Sequence, residues 1–278
     1  MGGENMLMPQ RNPGQQLLYW IGMYGQYLKI YCKTLVEYRA DTIISVLAGI
    51  MVQGSTLLFL AVIFQRIPQL ADWNFYELVF IFGLAATGKA LNQTFFNAPF
   101  SLHGLIRRGQ MDVMMARPVG VLFQAVGHSQ ELNGVGQSVT GIAMLCYAAW
   151  HLQLNWTPWT LLYIVIALIS SAVIQFAILL TISVTSFWVL EVRSVIYPVN
   201  WLYDFTRYPL EIFHPFVRGL LTYAIPYALG SFFPAAYLLR PSGYAWAGWV
   251  VPLGAMVIML LAYSFWRIGL RRYSSAAG

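Results

Sequence analysis

Charge is what this chain has least of. Asp, Glu, Lys and Arg together make up 9% of its 278 residues, against roughly 25% in an ordinary soluble domain. That is too little to cover a water-facing surface of this size. Intrinsic disorder is excluded by the same shortage, because it requires low hydrophobicity and dense charge. Only two cysteines occur, Cys32 and Cys146, each in or beside an apolar stretch, so a disulfide scaffold is excluded and two reduced thiols are expected. Carboxylates number ten. No HExxH, CxxC or GxSxG sequence is present, and the four histidines (His103, His128, His151, His214) are scattered. Zinc and nucleophile-elbow chemistry therefore have no ligand spacing to stand on.

What remains is apolar: 59% hydrophobic and 16% aromatic residues. The composition specifies a polytopic, all-α membrane protein. Sixteen basic residues give a net charge of +6, but they are spread thinly between apolar runs. That is the pattern of membrane topology signals and not of a nucleic-acid surface. Met1–Gly14 has prolines and no apolar core, so no secretory signal is expected and the first span should be retained.

Crossing a bilayer takes about 20 mostly apolar residues. Before the first such run, Gln16–Arg39 has a different period. Leu17, Ile21, Tyr24, Leu28, Tyr31 and Leu35 recur at intervals of four and three, while Lys29, Lys33 and Glu37 form a ladder on another face. The expectation is an interfacial amphipathic helix over residues 16–39, an elbow into the membrane with its basic face toward anionic headgroups. Spans are expected at Ile43–Phe64, Phe75–Pro99, within Val119–Trp150 (apolar heart Gly134–Trp150), Trp159–Val184 and Tyr244–Trp266. Between Ser186 and Pro241 two readings stay open: a span at Leu210–Phe233, or a short span at Glu191–Arg207 followed by proline-bounded half-helices. Either gives six spans.

With both termini inside and the short fifth span, eleven basic residues fall on the cytoplasmic side: Arg11, Lys29, Lys33, Arg39, Arg107, Arg108, Arg117, Arg193, Arg267, Arg271 and Arg272. Four fall outside: Arg66, Arg207, Arg218 and Arg240. Basic residues concentrate on cytoplasmic loops, which favours this orientation. No internal repeat and no stretch long enough for a separate soluble domain is visible.

Gly83-Leu-Ala-Ala-Thr-Gly88-Lys89-Ala90 nearly spells a phosphate-binding loop, but Ala90 lacks the hydroxyl that would hold magnesium, and no strand precedes the run. Lys89 itself sits within an apolar span at an insertion cost of about 2.5–3.5 kcal/mol. Snorkelling, or pairing with Glu131 or Asp204, would relieve that cost. With Asn92 and Gln93 it could equally line a polar path.

The link Leu105–Val119 reads as a short helix begun by Gly109 and ended by Pro118, with Met111, Met114 and Met115 on one side and Arg107, Arg108, Asp112 and Arg117 around them. Exposed methionines at helical spacing make an adaptable docking surface. This segment resembles the loop between the second and third spans of ABC-2-type permeases, in which basic residue, Gly, acidic residue, aliphatics and Arg-Pro recur. Here the acidic residue comes three after Gly109. Tyr208-Pro-Leu-Glu-Ile-Phe, Val217-Arg-Gly-Leu-Leu, Ala224-Ile-Pro-Tyr-Ala and Phe233-Pro-Ala resemble the same family's extracellular re-entrant stretch.

The resemblance covers most of the chain and favours the short fifth span, Glu191–Arg207. It implies a single permease domain over residues 1–278, with an elbow at 16–39, a coupling segment at 101–118 and a re-entrant segment at 208–240. Two such subunits, identical or homologous, would form an exporter in a prokaryotic plasma membrane. Separate ATPase subunits would carry the ATP and magnesium, leaving this chain without catalysis, metal or nucleic acid. Coupling is expected at Arg107, Arg108, Asp112, Met114 and Arg117. Polarity and helix position suggest Gln53, Thr56, Asn92, Tyr197, Asn200 and Tyr203 for the substrate path. The competing expectation is a stand-alone secondary transporter or channel using Lys89, Glu131 and Asp204 as an ion relay.

Overall fold

In the computed structural model, residues 13–129, 131, 133–189 and 191–273 are described. Arg11, most of the Met1–Gly14 segment and the side chains of Leu17 and Ile21 lie outside them. The described fold is helical throughout. Helix α1 spans Pro13–Glu37. Tyr38, at φ −98° and ψ 46°, breaks it from α2 (Arg39–Arg66). Thr42 braces the break, its hydroxyl donating to the carbonyls of Leu35 (3.2 Å) and Tyr38 (3.1 Å).

A tight turn at Ala71 and Asp72, both at positive φ, is closed by paired backbone bonds between Leu70 and Trp73. It leads into α3 (Phe75–Phe95). Asn74 starts that helix with a capping box, in which its side chain accepts from the Glu77 amide (3.0 Å) while Glu77 accepts from the Asn74 amide (2.8 Å). The span expected to reach Pro99 stops at Phe95, because Pro99 is suited to a first helical turn and not an interior. A new helix, α4 (Ala98–Arg107), begins there.

Then follow α5 (Gln110–Met115), α6 (Val121–His128) and α7 (Asn133–His151). Thus the region expected to hold one third span is two helices, with only the apolar half continuous. Helix α8 (Pro158–Val184) starts on a Thr157 cap with proline in its first turn and runs into a 3₁₀ turn at Thr185–Phe187. Helix α9 (Arg193–Phe205) has 13 residues, about 20 Å of rise, and Pro198 inside it.

The next 35 residues are short pieces. They comprise a 3₁₀ turn at Leu210–Ile212, α10 (Pro215–Gly219), a π turn at Leu220–Ala224, another 3₁₀ turn at Tyr227–Gly230, α11 (Phe232–Leu239) and α12 (Pro241–Tyr244). Helix α13 (Ala247–Arg272) completes the described chain.

Among the described residues, three helices are long and apolar enough to cross a membrane: Arg39–Arg66, Pro158–Phe187 and Ala247–Arg272. On α2, Ile43, Leu47, Met51, Leu58 and Val62 are bare, as a lipid- or partner-facing surface requires. Helix α3 is the opposite, buried on every side from Glu77 to Ala90. It packs most extensively on α7, then on α8, while α2 covers α7 and α13 covers α8. A helix apolar all round belongs at the centre of a bundle.

Small residues make these contacts close. Gly49 of α2 faces Gly136 of α7, where an added Cβ would lie 2.9 Å from the opposing carbonyl carbon. A Cβ on Gly83 of α3 would meet the Leu145 amide nitrogen of α7 at 2.8 Å. Backbone thus packs on backbone at both crossings. Gly136→Leu should separate α2 from α7 and destabilise the detergent-solubilised protein by about 1–3 kcal/mol, the cost of overpacking. Gly54→Ala, at a glycine of α2 with open space around it, should leave the melting temperature unchanged or raise it, since alanine is the better helix former. Thermal melts of both variants check this.

Candidate functional site

Two features stand out from this scaffold: a basic reversal at one end of the bundle and an ion cluster inside it. The reversal is α4–α5. Gly109 sits at φ +65°, a left-handed position that glycine adopts without a Cβ clash, and it turns the chain back after Arg108. Gln124 of α6 then ties the segment down by donating to the carbonyls of Met114 (2.8 Å) and Val119 (2.7 Å). The outward face carries Arg107, Arg108, Val113, Met115 and Arg117, with Asp112 partly covered.

One expectation is corrected here. Met111 and Met114 are 0% and 7% exposed and pack with Ala98, Leu102, Val121 and Ala125, leaving only Met115 (41%) of the three outside. The reversal folds α5 against α4 and α6, so its methionine face serves the core. The helix is also shorter than expected, ending at Met115. On the same end, one face of α1 meets α6. Tyr24 and Tyr27 pack edge-on against Phe123, and Tyr27 packs against His128. Lys29, Lys33 and Glu37 point away, as their ladder predicts.

The ion cluster lies fourteen residues after Phe75, about 21 Å along α3. Lys89 Nζ contacts both Asp204 carboxylate oxygens, at 2.7 and 2.9 Å. Arg207 Nη2 reaches the same carboxylate at 2.7 Å. Side-chain exposures are 9% for Lys89, 15% for Arg207 and 37% for Asp204. Arg207, expected at the outer end of the short fifth span, is largely buried here: α9 ends at the level of Lys89, and Asp204 holds both cations. Of the partners expected for Lys89, Asp204 is the one found. Glu131 stays exposed between α6 and α7, where its carbonyl accepts from the Tyr31 hydroxyl at 3.0 Å, so the three-residue relay does not assemble.

Hydroxyls surround the cluster. Ser171 and Tyr203 share a 2.7 Å bond. Ser231 donates to Thr206, bringing the chain after the proline-rich excursion back to the end of α9. Tyr227 packs edge-on against Tyr203 at 5.3 Å between ring centres. Of the expected path residues, Tyr203 belongs to this group. Asn92 donates to the Ala172 carbonyl (3.0 Å) and Asn200 accepts from Gln175 (3.3 Å), both against α8. Gln53 is buried on α2, Thr56 bonds its own helix at Val52, and Tyr197 is exposed beside Phe100. The six do not converge on one cavity.

The opposite end carries a clamp that sequence reasoning missed. Arg240 binds both Glu77 oxygens (3.2 and 3.0 Å), donates to the Asp72 carbonyl (2.6 Å) and lies 3.8 Å above the Trp73 ring. Beside it Tyr244 donates to Glu211 at 2.7 Å. Burial and the Glu211 carboxylate push this phenol up to about 12, so it remains a donor at any physiological pH. The Asn74-x-x-Glu77 spacing was the available signal, since it is a capping-box pattern. The Gly83–Lys89 run is continuous helix within α3, without the strand-to-helix loop that cradles a phosphate.

The sequence model of the family described as ABC-2 family transporter protein matches residues 50–277. No curated protein matches significantly, and no solved structure does.

Charge balance orders the variants of the ion cluster. Lys89→Met leaves Asp204 paired with Arg207, whereas Asp204→Asn leaves two adjacent cations without an anion. Asp204→Asn should lose about 2 kcal/mol more than Lys89→Met, a value kept low because the carboxylate is partly open. Chemical or thermal unfolding in mild detergent gives the comparison. Equal losses would remove Asp204 from its role as shared counter-ion.

Proposed function

Because the chain belongs to the ABC-2 family of transporter proteins, we propose that it is the permease subunit of an ATP-driven exporter, worked by separate ATPase subunits. The observation that carries this is the α4–α5 reversal, a compact knob of exposed arginines and apolar tips (Val113, Met115) held on a buried methionine base. Arg107, Arg108 and Arg117 would meet carboxylates in a groove on the ATPase. Asp112 would set register, and Met114 would transmit the load into α4 and α6. ATP and magnesium belong to that partner.

In this reading α2, α3, α7, α8, α9 and α13 make six crossings, with α9 shortened and residues 208–240 dipping in from outside. The reversal end is cytoplasmic and both termini lie there, consistent with the basic residues around it. The membrane is a prokaryotic plasma membrane. Two permeases, identical or homologous, would meet across the bare faces of α2 and α9. Their opening and closing would expose a path near Gln53, Thr56, Asn92, Tyr197, Asn200 and Tyr203. Closure of the ATPases would push on the knob. Through α6 it would reach α1, and through the Ser183–Pro99 bond (2.6 Å) it would reach α8. A stand-alone ion-coupled transporter is the second reading. The Lys89–Asp204 pair favours it, and the separation of Glu131 weighs against it.

Arg107→Glu with Arg108→Glu should leave insertion and melting temperature intact, because both side chains are exposed. ATPase association should weaken about tenfold or more through charge reversal at a docking surface. Co-purification with the ATPase and its turnover are the readouts. Unchanged association and turnover would sink the docking assignment.

A further inference from the structure

The ion cluster is not charge-balanced. Lys89 and Arg207 contribute two cations and Asp204 one anion. Neighbouring elements supply no second carboxylate: α8 has no charged residue, and Glu77, the other acid of α3, is engaged by Arg240 at the far end. Two polar atoms there are buried without a partner, Arg207 Nε and the Tyr227 hydroxyl, and both can donate. An excess cation in apolar surroundings is costly unless an anion reaches it.

The cluster opens at α9. Asp204 is its most open member, and on the same helix Trp201 (61% exposed) and Phe205 (45%) flank it. An anion arriving this way passes over aromatic surface, which suits a group attached to an apolar chain.

We propose that Lys89, Arg207 and Tyr227 form a binding station for the monoanionic phosphate or carboxylate head of a membrane-dissolved amphiphile. The chain of that amphiphile lies along Trp201 and Phe205. As the headgroup of cargo, it names a substrate class for the permease reading and rests on that reading. As a binding site it stands by itself. Arg207 Nε and the excess charge supply the attraction, and Asp204 keeps both cations oriented while no ligand is bound.

The test uses the full chain in nanodiscs of phosphatidylcholine, without any ATPase, so its outcome is separate from that of the docking test. Dibrominated-chain phosphatidylglycerol or dibrominated-chain phosphatidylcholine is titrated in, and the quenching of Trp201 is isolated by subtracting Trp201→Phe. Trp201 should be half-quenched by the anionic probe at about tenfold lower mole fraction, the scale of one charge-assisted contact. Arg207→Gln, which leaves a balanced Lys89–Asp204 pair, should abolish the preference. Lys89→Met should do the same independently, and Arg66→Gln, an equal charge loss at the end of α2, should leave it intact. Equal quenching by both probes, or a full preference surviving in either Arg207→Gln or Lys89→Met, would overturn the station. Inorganic phosphate in the buffer should change nothing. Relief of quenching by phosphate would overturn the amphiphile as the source.

Discussion

An ammonium group about two-thirds of the way along a helix enclosed by apolar neighbours has to find a carboxylate. Much of this fold follows from the way Lys89 does so. Its partner, Asp204, lies at the end of a helix too short to span a bilayer. The pair therefore sets where α9 stops. From that point the chain leaves toward the Trp73 end, returns to Ser231, which bonds back to Thr206, and leaves again through α11. Broken backbone of this kind survives only where protein covers it. Here α3, α8 and α13 supply the cover, and Leu221, Ala228 and Phe232 fill the space between them.

The two ends of the bundle are built on different chemistry. At the Trp73 end, one guanidinium joins a turn, a capping box and the last short helices through bidentate, carbonyl and aromatic contacts. Each of these depends on the planar fork of arginine. At the other end, the reversal rests on methionines, which fill irregular space and adapt to movement. A rigid closure at one end and an adaptable seat at the other suit a molecule that is pushed from one side.

The composition and long apolar runs made α2, α8 and α13 legible, as did the inward and outward faces of α1 from Tyr24 onward. The start of α3 at Phe75 and the apolar heart of α7, Gly134–Trp150, were legible to within a residue. The end of α3 was not, because a proline at residue 99 interrupts a run that looks continuous by hydropathy. Periodicity grouped Met111, Met114 and Met115 on one side; the first two do share a face and Met115 does not, and spacing could not show which way that face turned. The left-handed Gly109 decides it. Asp204 and Arg207 are legible as a local i, i+3 pair. Their depth is set by a lysine 115 residues earlier in the chain, a distance no local pattern encodes. Polarity alone does not distinguish a group that lines a path from one that bonds the next helix, as Asn92 does.

The crossings of α2 and α3 with α7 carry an evolutionary consequence. Every single-nucleotide missense change in a glycine codon yields a larger residue, so no conservative neighbour exists at Gly49, Gly83 or Gly136. On the bare face of α2, exchanges among Ile, Leu, Val and Met cost little. Genetic fragility in this chain therefore extends beyond its few charges to its smallest residues, and inactivating changes should also cluster where helices touch backbone to backbone.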